Sequence, residues 1–528
     1  MAQLGTHISR KRHSTHNCTQ IHPLRQVITN SCTSQHPPRN TDKRIHSIVV
    51  AYPGFPFPPY TSLYPSFDHI QTYHHSFAAH FELYPYIRFN HSLESAYWVG
   101  NASNGFWELS ISTDGPREEI VPLGKTPAHD LRHSSRITRR FDHLVVAVGH
   151  NHYPSFPVWA AGTAANEWLR NGKGRRVMHS IYFREPEVFA GRIILVVGAG
   201  GSGADIVIWC SGRAKRVCLH INLQLELADS NPLQVYHSFS RMGAPIGKTP
   251  GVIYKPRTKG FTASSVQFED GTEVSDVEVV ILATGYNHRL PFLDPSDPYN
   301  QPSRELLTNG RHVIMNTNAS AHSRSEGEQR LTTNLNYIFP IARQIVSLSS
   351  LHPLNALFFI NLPFPTASAL NSIAQSTFAG HLIAHPDRVY PTSDITGQKG
   401  WNETLVREML LKNLTAFENR VASEGFDVYH LGHRTDFGLY TDAEYQDSLI
   451  AHLQTQGLVP PHGGGYIFAE PWRTRARGKI LELRRIWKEI ESRGGEEVKR
   501  WLDGVETEGE WGDLMDRLVK WGEEHGIQ

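Results

Sequence analysis

Cysteine is scarce in this chain: Cys18, Cys32, Cys210 and Cys218 are the only four in 528 residues. No two of them form a C-x-x-C pair, so neither a disulfide framework nor a dithiol redox motif organises the fold, and a reducing, cytoplasmic compartment is the expectation. Long apolar runs are also missing. The most apolar stretch, ALFFINLPF from Ala356, contains Pro363 and is far short of the roughly 18 residues a membrane span requires. Neither sign of charge is in excess: 52 Lys and Arg face 51 Asp and Glu, for a net charge of +1. That balance gives no reason to expect nucleic acid or an acidic partner. Thirty histidines are present, but no H-E-x-x-H or similar spacing gathers them, so no metal centre is expected. Glycine is rare at the start: Gly5, Gly54 and Gly100 are the only ones in the first hundred residues.

What is present fits a soluble globular protein of two to four domains, with 39% hydrophobic and 20% charged residues. Residues 1–46 stand apart. They hold seven Lys or Arg, six His and a single carboxylate, Asp42, with no sustained helical or strand periodicity. They read as a disordered basic segment, with a transit peptide or mis-spliced sequence as the alternatives. From Ser47 the pattern changes. A Pro- and aromatic-rich loop (AYPGFPFPPYTSLYP) leads to helical spacing through Ile70, Tyr73, Phe77 and Phe81. A β-hairpin or meander is predicted over YIRFNHSLESAYWVG and GFWELSIS. Two valine-rich runs that end at a glycine, FDHLVVAVGH and VEVVILATGY, read as buried parallel strands. After about residue 335 the chain is predicted to turn helical, ending in charged amphipathic helices.

The most informative stretch is ILVVGAGGSGADIVIW, from Ile194. Gly198, Gly200 and Gly203 make a G-x-G-x-x-G between an apolar strand and a helix-compatible segment. The first glycine permits a tight turn, the second admits a pyrophosphate against the backbone, and the third lets helix and strand pack closely. Dinucleotide binding is therefore expected here. Enzymes that use NAD place an acidic residue about 20 positions on, to hold the ribose 2′-hydroxyl. This chain has no carboxylate there until Glu226, whereas Arg213, Lys215 and Arg216 lie just upstream. That pattern favours NADP, with a solvated basic turn as the alternative.

Several segments in order resemble one family, the flavin-containing monooxygenases. GRRVMHSIYFREPEVFAGRIILVVGAGGSGADI is similar to the family's His motif running into its NADPH turn. FDHLVVAVGHNHYPSFP and VILATGYNHRLPFL resemble its two A-T-G strands, and the aromatic loop with YHHSFAAHFEL and IRFNHSL resembles part of its FAD domain. The resemblance implies an α/β fold of two Rossmann-like dinucleotide-binding domains with a helical C-terminal region. The NADPH domain (165–280) would be inserted in a split FAD domain (47–164 and 281–400), with a helical extension over 401–528. It further implies FAD and NADPH as cofactors, and O2 with a small molecule bearing a nucleophilic nitrogen or sulfur as substrates. Gly198, Gly200, Ser202 and Gly203 would lie on the pyrophosphate, Gly149, Thr284 and Gly285 at strand ends beside the dinucleotides, and His179 and Phe183 in the fingerprint before the turn. Arg213 and Arg216 would bind the 2′-phosphate, and Asn30 matches the family's L-x-T-N segment near the flavin. The alternatives are an NADP(H)-binding remnant unable to hold FAD and a Baeyer–Villiger-type relative. The aromatic Phe183 in place of Trp argues against the latter. The family opens with a second G-x-G-x-x-G for FAD, and that motif is missing before Gly198. The FAD domain is therefore expected to be incomplete.

Overall fold

The computed structural model describes residues 51–113, 135–160, 162–211, 252–293, 330–363, 368–393, 399–434, 442–460 and 468–527, with the strands Val27–Ile28, Arg216–His220 and His312–Val313. Within the basic N-terminal segment, Val27–Ile28 pairs in parallel with Ile87–Arg88. The remainder of that segment, Asn30 included, lies outside the described residues.

The predicted helix forms over Phe67–His80, with Ser66 as its N-cap. Its apolar face receives the aromatic loop. Tyr73 stacks on Phe57 with centroids 3.9 Å apart, donates its hydroxyl to the Phe55 carbonyl (2.6 Å) and accepts the Tyr52 N–H (2.7 Å). A buried phenol is thus fully hydrogen-bonded while its ring packs, the usual condition for a tyrosine in a core. The predicted meander is also present, with a third strand. Ser92–Gly100, Gly105–Ser112 and Arg136–Phe141 pair antiparallel. Alternate residues (Ala96 and Trp98; Trp107, Leu109 and Ile111) face one core, as the two-residue period of a strand dictates.

That core is shared with a four-stranded sheet ordered Ile341–Ala342, Val346–Ser347, Leu357–Phe359, Leu144–Val146, the last two parallel. The helical reading after residue 335 is corrected here. Residues 338–359 hold four short strands joined by turns, and among the described residues helix begins only at Ser368. The runs YIF, PIA, QIVS and ALFFI are each too short for a helical turn pattern to compete with sheet pairing. Helices Ser368–Ala384, Glu403–Ser423 and Asp442–Thr455 then cover the other side of this sheet. The last four helices, within 471–524, form a bundle around Leu483, Ile486, Trp487 and Leu518. This bundle is not an appendage: Leu63 and Tyr64 of the aromatic loop are buried in its core.

A separate sheet has five parallel strands. Its strands in chain order are β1 (Arg176–His179), β2 (Ile193–Val197), β3 (Arg216–His220), β4 (Val252–Lys255) and β5 (Val279–Leu282), and their spatial order is β4-β3-β2-β5-β1. Its core takes in Ala160 and Phe156 at one end and Ala283 at the other. Both chain crossings into it lie together, because Tyr153–Pro154 pairs antiparallel with Tyr286–Asn287.

Candidate dinucleotide-binding site

Strand β2 is buried at all five positions and runs into the glycine turn at the carboxyl edge of the sheet. Each glycine there answers a different steric demand. Gly198 has φ +106, and a Cβ on it would collide with the carbonyl oxygen of Ala283. Gly203 is the first buried residue of helix α1 (Gly201–Cys210), and a Cβ there would collide with the Gly198 carbonyl. Around Gly200, the N-cap, a Cβ would meet nothing within 4 Å, and no side chain caps the helix. The turn is therefore closed on the protein side and open on the outer side. The first-turn N–H groups, lacking a capping side chain, face the place a pyrophosphate occupies in such units. Ser202 is exposed in that first turn.

The other residues singled out by sequence divide into three groups. Thr284 and Gly285 follow β5 on the same carboxyl edge. Thr284 Oγ1 donates to the Ser155 carbonyl (2.5 Å), and the Gly285 carbonyl accepts the Ser155 N–H (2.9 Å). His179 ends β1, fully buried, with Nε2 3.0 Å from the Gly285 carbonyl oxygen and Nδ1 accepting the Ile181 N–H (3.2 Å). The proton therefore sits on Nε2, and burial holds the imidazole down to about 4. His179 thus braces the edge from behind and does not line the open side of the turn. Phe183 is likewise internal, stacked on Phe189 (5.4 Å) and Trp209 (5.9 Å), where it supports α1. Gly149, with φ +70, lies beyond the end of Leu144–Val146, in the neighbouring sheet.

Arg216 is a correction. In the β3–β2 register it sits opposite Ile193, at the amino edge of the sheet. Four residues at about 3.3 Å each separate it from the carboxyl edge, where ligands of such sheets bind. The residue beside that edge is His220, and Arg213 lies outside the described residues. Sequence reasoning also passed over Ser155 and gave Asp205 no role, reading it as turned to solvent or a loop; it is instead a buried α1 carboxylate that meets Arg484 at 3.1 Å. Asp205 lies two residues past the G-x-G-x-x-G signal, which says nothing of a partner 279 positions away.

Known proteins are similar to this chain over part of its length. Residues 40–223 and 247–301 match the flavin-binding monooxygenase-like family. Over these residues the chain is similar to the flavin-containing monooxygenases. Human flavin-containing monooxygenase 3 is 28% identical over 318 residues, covering 50% of this chain and 54% of that protein. Rat dimethylaniline monooxygenase (N-oxide-forming) 4 is 25% identical over 335 residues, covering 54% of this chain and 52% of that protein. The chain thus spans about half the length of the curated relatives it matches. In fold it is similar to the S-allyl-L-cysteine S-oxygenase of Allium sativum, with a TM-score of 0.57 at 16% identity, over 92% of this chain and 84% of that one. The last four helices lie outside the region matched to the family.

Members of this family use FAD and NADPH. The residues present suit the two cofactors unequally. The open, uncapped turn at Gly200 fits a dinucleotide pyrophosphate. No glycine turn of this kind precedes Gly198 in the sequence to serve FAD, and among the described residues Leu144–Val146 ends its sheet, with no further strand beside it. Among the described residues there is also no cluster of three or more side chains able to hold a metal ion, and no helix long and apolar enough to cross a membrane.

Proposed function

We propose that the chain binds NADPH at the Gly198–Gly203 turn and serves the reaction class of its family, the oxygenation by O2 of a nucleophilic nitrogen or sulfur in a small molecule. The observation that carries the cofactor assignment is the open outer side of Gly200 above an uncapped helix N-terminus. The choice of NADPH over NADH is supported by His220 at the end of β3, where an NAD-binding unit places a carboxylate. NADPH supplies hydride when bound. The chain's own residues hold the pyrophosphate through α1 N–H groups and keep the β5 edge rigid through the Thr284–Ser155 and His179–Gly285 hydrogen bonds. N-oxide formation in rat dimethylaniline monooxygenase 4 and S-oxygenation in the Allium sativum enzyme support nitrogen or sulfur as the accepting atom.

A second reading is favoured by one specific observation, the missing glycine turn before Gly198. On that reading the chain binds NADP(H) but not flavin, and no oxygenation step runs on it alone. One experiment separates the two. The purified 528-residue chain is titrated with NADP+ and, separately, mixed with FAD, desalted and scanned near 450 nm. NADP+ binding with retained yellow flavin supports the oxygenase, NADP+ binding without flavin supports the second reading, and no NADP+ binding overturns both.

A further inference from the structure

Helix α1 carries a buried carboxylate just below the turn that is to receive an anion. Asp205 is 8% exposed and lies four residues beyond Gly201, about 6 Å along the axis at 1.5 Å per residue. Alone it would oppose the positive end of the helix and repel a pyrophosphate. It is not alone. Arg484, on helix α2 (Ile480–Ser492) of the C-terminal bundle, places Nη2 3.1 Å from Asp205 Oδ1. The bundle that carries Arg484 is held in place by the aromatic loop. The Tyr64 hydroxyl donates to the Ile480 carbonyl (3.3 Å), and Trp487 Nε1 donates to Ser62 Oγ (3.2 Å) and Glu491 Oε1 (2.9 Å). A segment outside the matched family region therefore delivers one cation to the underside of the dinucleotide helix.

We infer that Arg484 is a positioning residue of the dinucleotide site, one that cancels the Asp205 charge and so preserves the attraction of α1 for a pyrophosphate. The inference rests on the proposal that this turn binds NADP(H). Its electrostatic character gives it a signature that a merely structural contact lacks. R484Q leaves Asp205 uncompensated and weakens NADP+ binding. D205N leaves Arg484 unopposed and strengthens it. The double variant D205N/R484Q, which keeps the shape and a hydrogen bond but no charge, returns to near the original affinity. At a separation of one to two helical turns in partly buried surroundings the single changes are on the order of tenfold, smaller at high salt.

The test is NADP+ affinity by calorimetry on the full chain and its variants at low and high salt, with thermal unfolding recorded for each. Opposite shifts for the two single variants, with recovery in the double, support the inference. Equal affinities in all four, or losses in all three variants, overturn it. If R484Q does not fold, the D205N gain decides by itself. If the unaltered chain binds no NADP+, the proposed function falls and this inference with it, whereas binding that ignores both charges defeats the inference alone.

Discussion

His179 Nε2 and the carbonyl oxygen of Gly285 lie 3.0 Å apart, tying the end of β1 to the turn after β5 at the edge where the dinucleotide turn opens. The imidazole must be neutral to fit this arrangement, because its Nδ1 accepts a backbone N–H.

Stability is therefore expected to fall in mild acid. Burial holds His179 and His352, both fully buried, down to about 4. Between pH 6.5 and about 4 the unfolded chain binds protons that the folded chain refuses, so the contribution of each is complete above pH 6.5 and is lost as pH drops to 4. At 1.36 kcal/mol per unit this amounts to about 3 kcal/mol for each imidazole. Urea midpoints at pH 7.5, 6 and 5 should decline, and H179N should flatten part of the decline. Midpoints independent of pH would contradict this account.

The two inner glycines should respond in opposite ways to alanine. G203A forces a Cβ onto the Gly198 carbonyl and should cost about 1–3 kcal/mol or more, since close-packed backbone cannot yield cheaply. G200A has room and an ordinary φ of −65, so it should cost no more than about 1 kcal/mol of cap stability. It should nonetheless abolish NADP+ binding. Differential scanning calorimetry paired with an NADP+ titration reads both.

Coenzyme choice should follow His220 and not Arg216. H220D puts an acidic residue at the end of β3, the position it takes in NAD-binding units, and should shift preference toward NAD+ on the order of tenfold, about 1.4 kcal/mol. R216A, at the far edge of the sheet, should leave the ratio of NADP+ to NAD+ affinity unchanged. A loss of NADP+ preference in R216A would count against the register argument.

Trp487 joins the C-terminal bundle to the aromatic loop. W487A should destabilise by about 3–5 kcal/mol, the cost of emptying a buried aromatic site. It should also expose 51–64 to limited proteolysis, whereas W487F, which keeps the ring volume, should protect the loop largely as the unaltered chain does.

The parts of the fold legible in the sequence were those with local steric cause. Gly198 and Gly203 announce their roles because only hydrogen fits where their side chains would go, and the meander alternates because its faces differ in exposure. For Arg216, charge and spacing are legible in the sequence, but its place is set by pairing with Ile193. Residues 338–359 were misread because short apolar runs carry no period, and only their partners make them strands. The Arg484–Asp205 contact and the burial of Leu63 join segments hundreds of residues apart. No local pattern carries that information.

The paired crossing at Tyr153–Pro154 and Tyr286–Asn287 has a mechanical meaning. Two covalent connections running side by side act as a single strap. The soft motion they leave to the nucleotide-binding unit is swinging about that line, whereas sliding along it would break the Ser155–Gly285 hydrogen bond. Because Thr284, Gly285 and the His179 brace stand at the root of the strap, any swing would begin next to the carboxyl edge of the sheet.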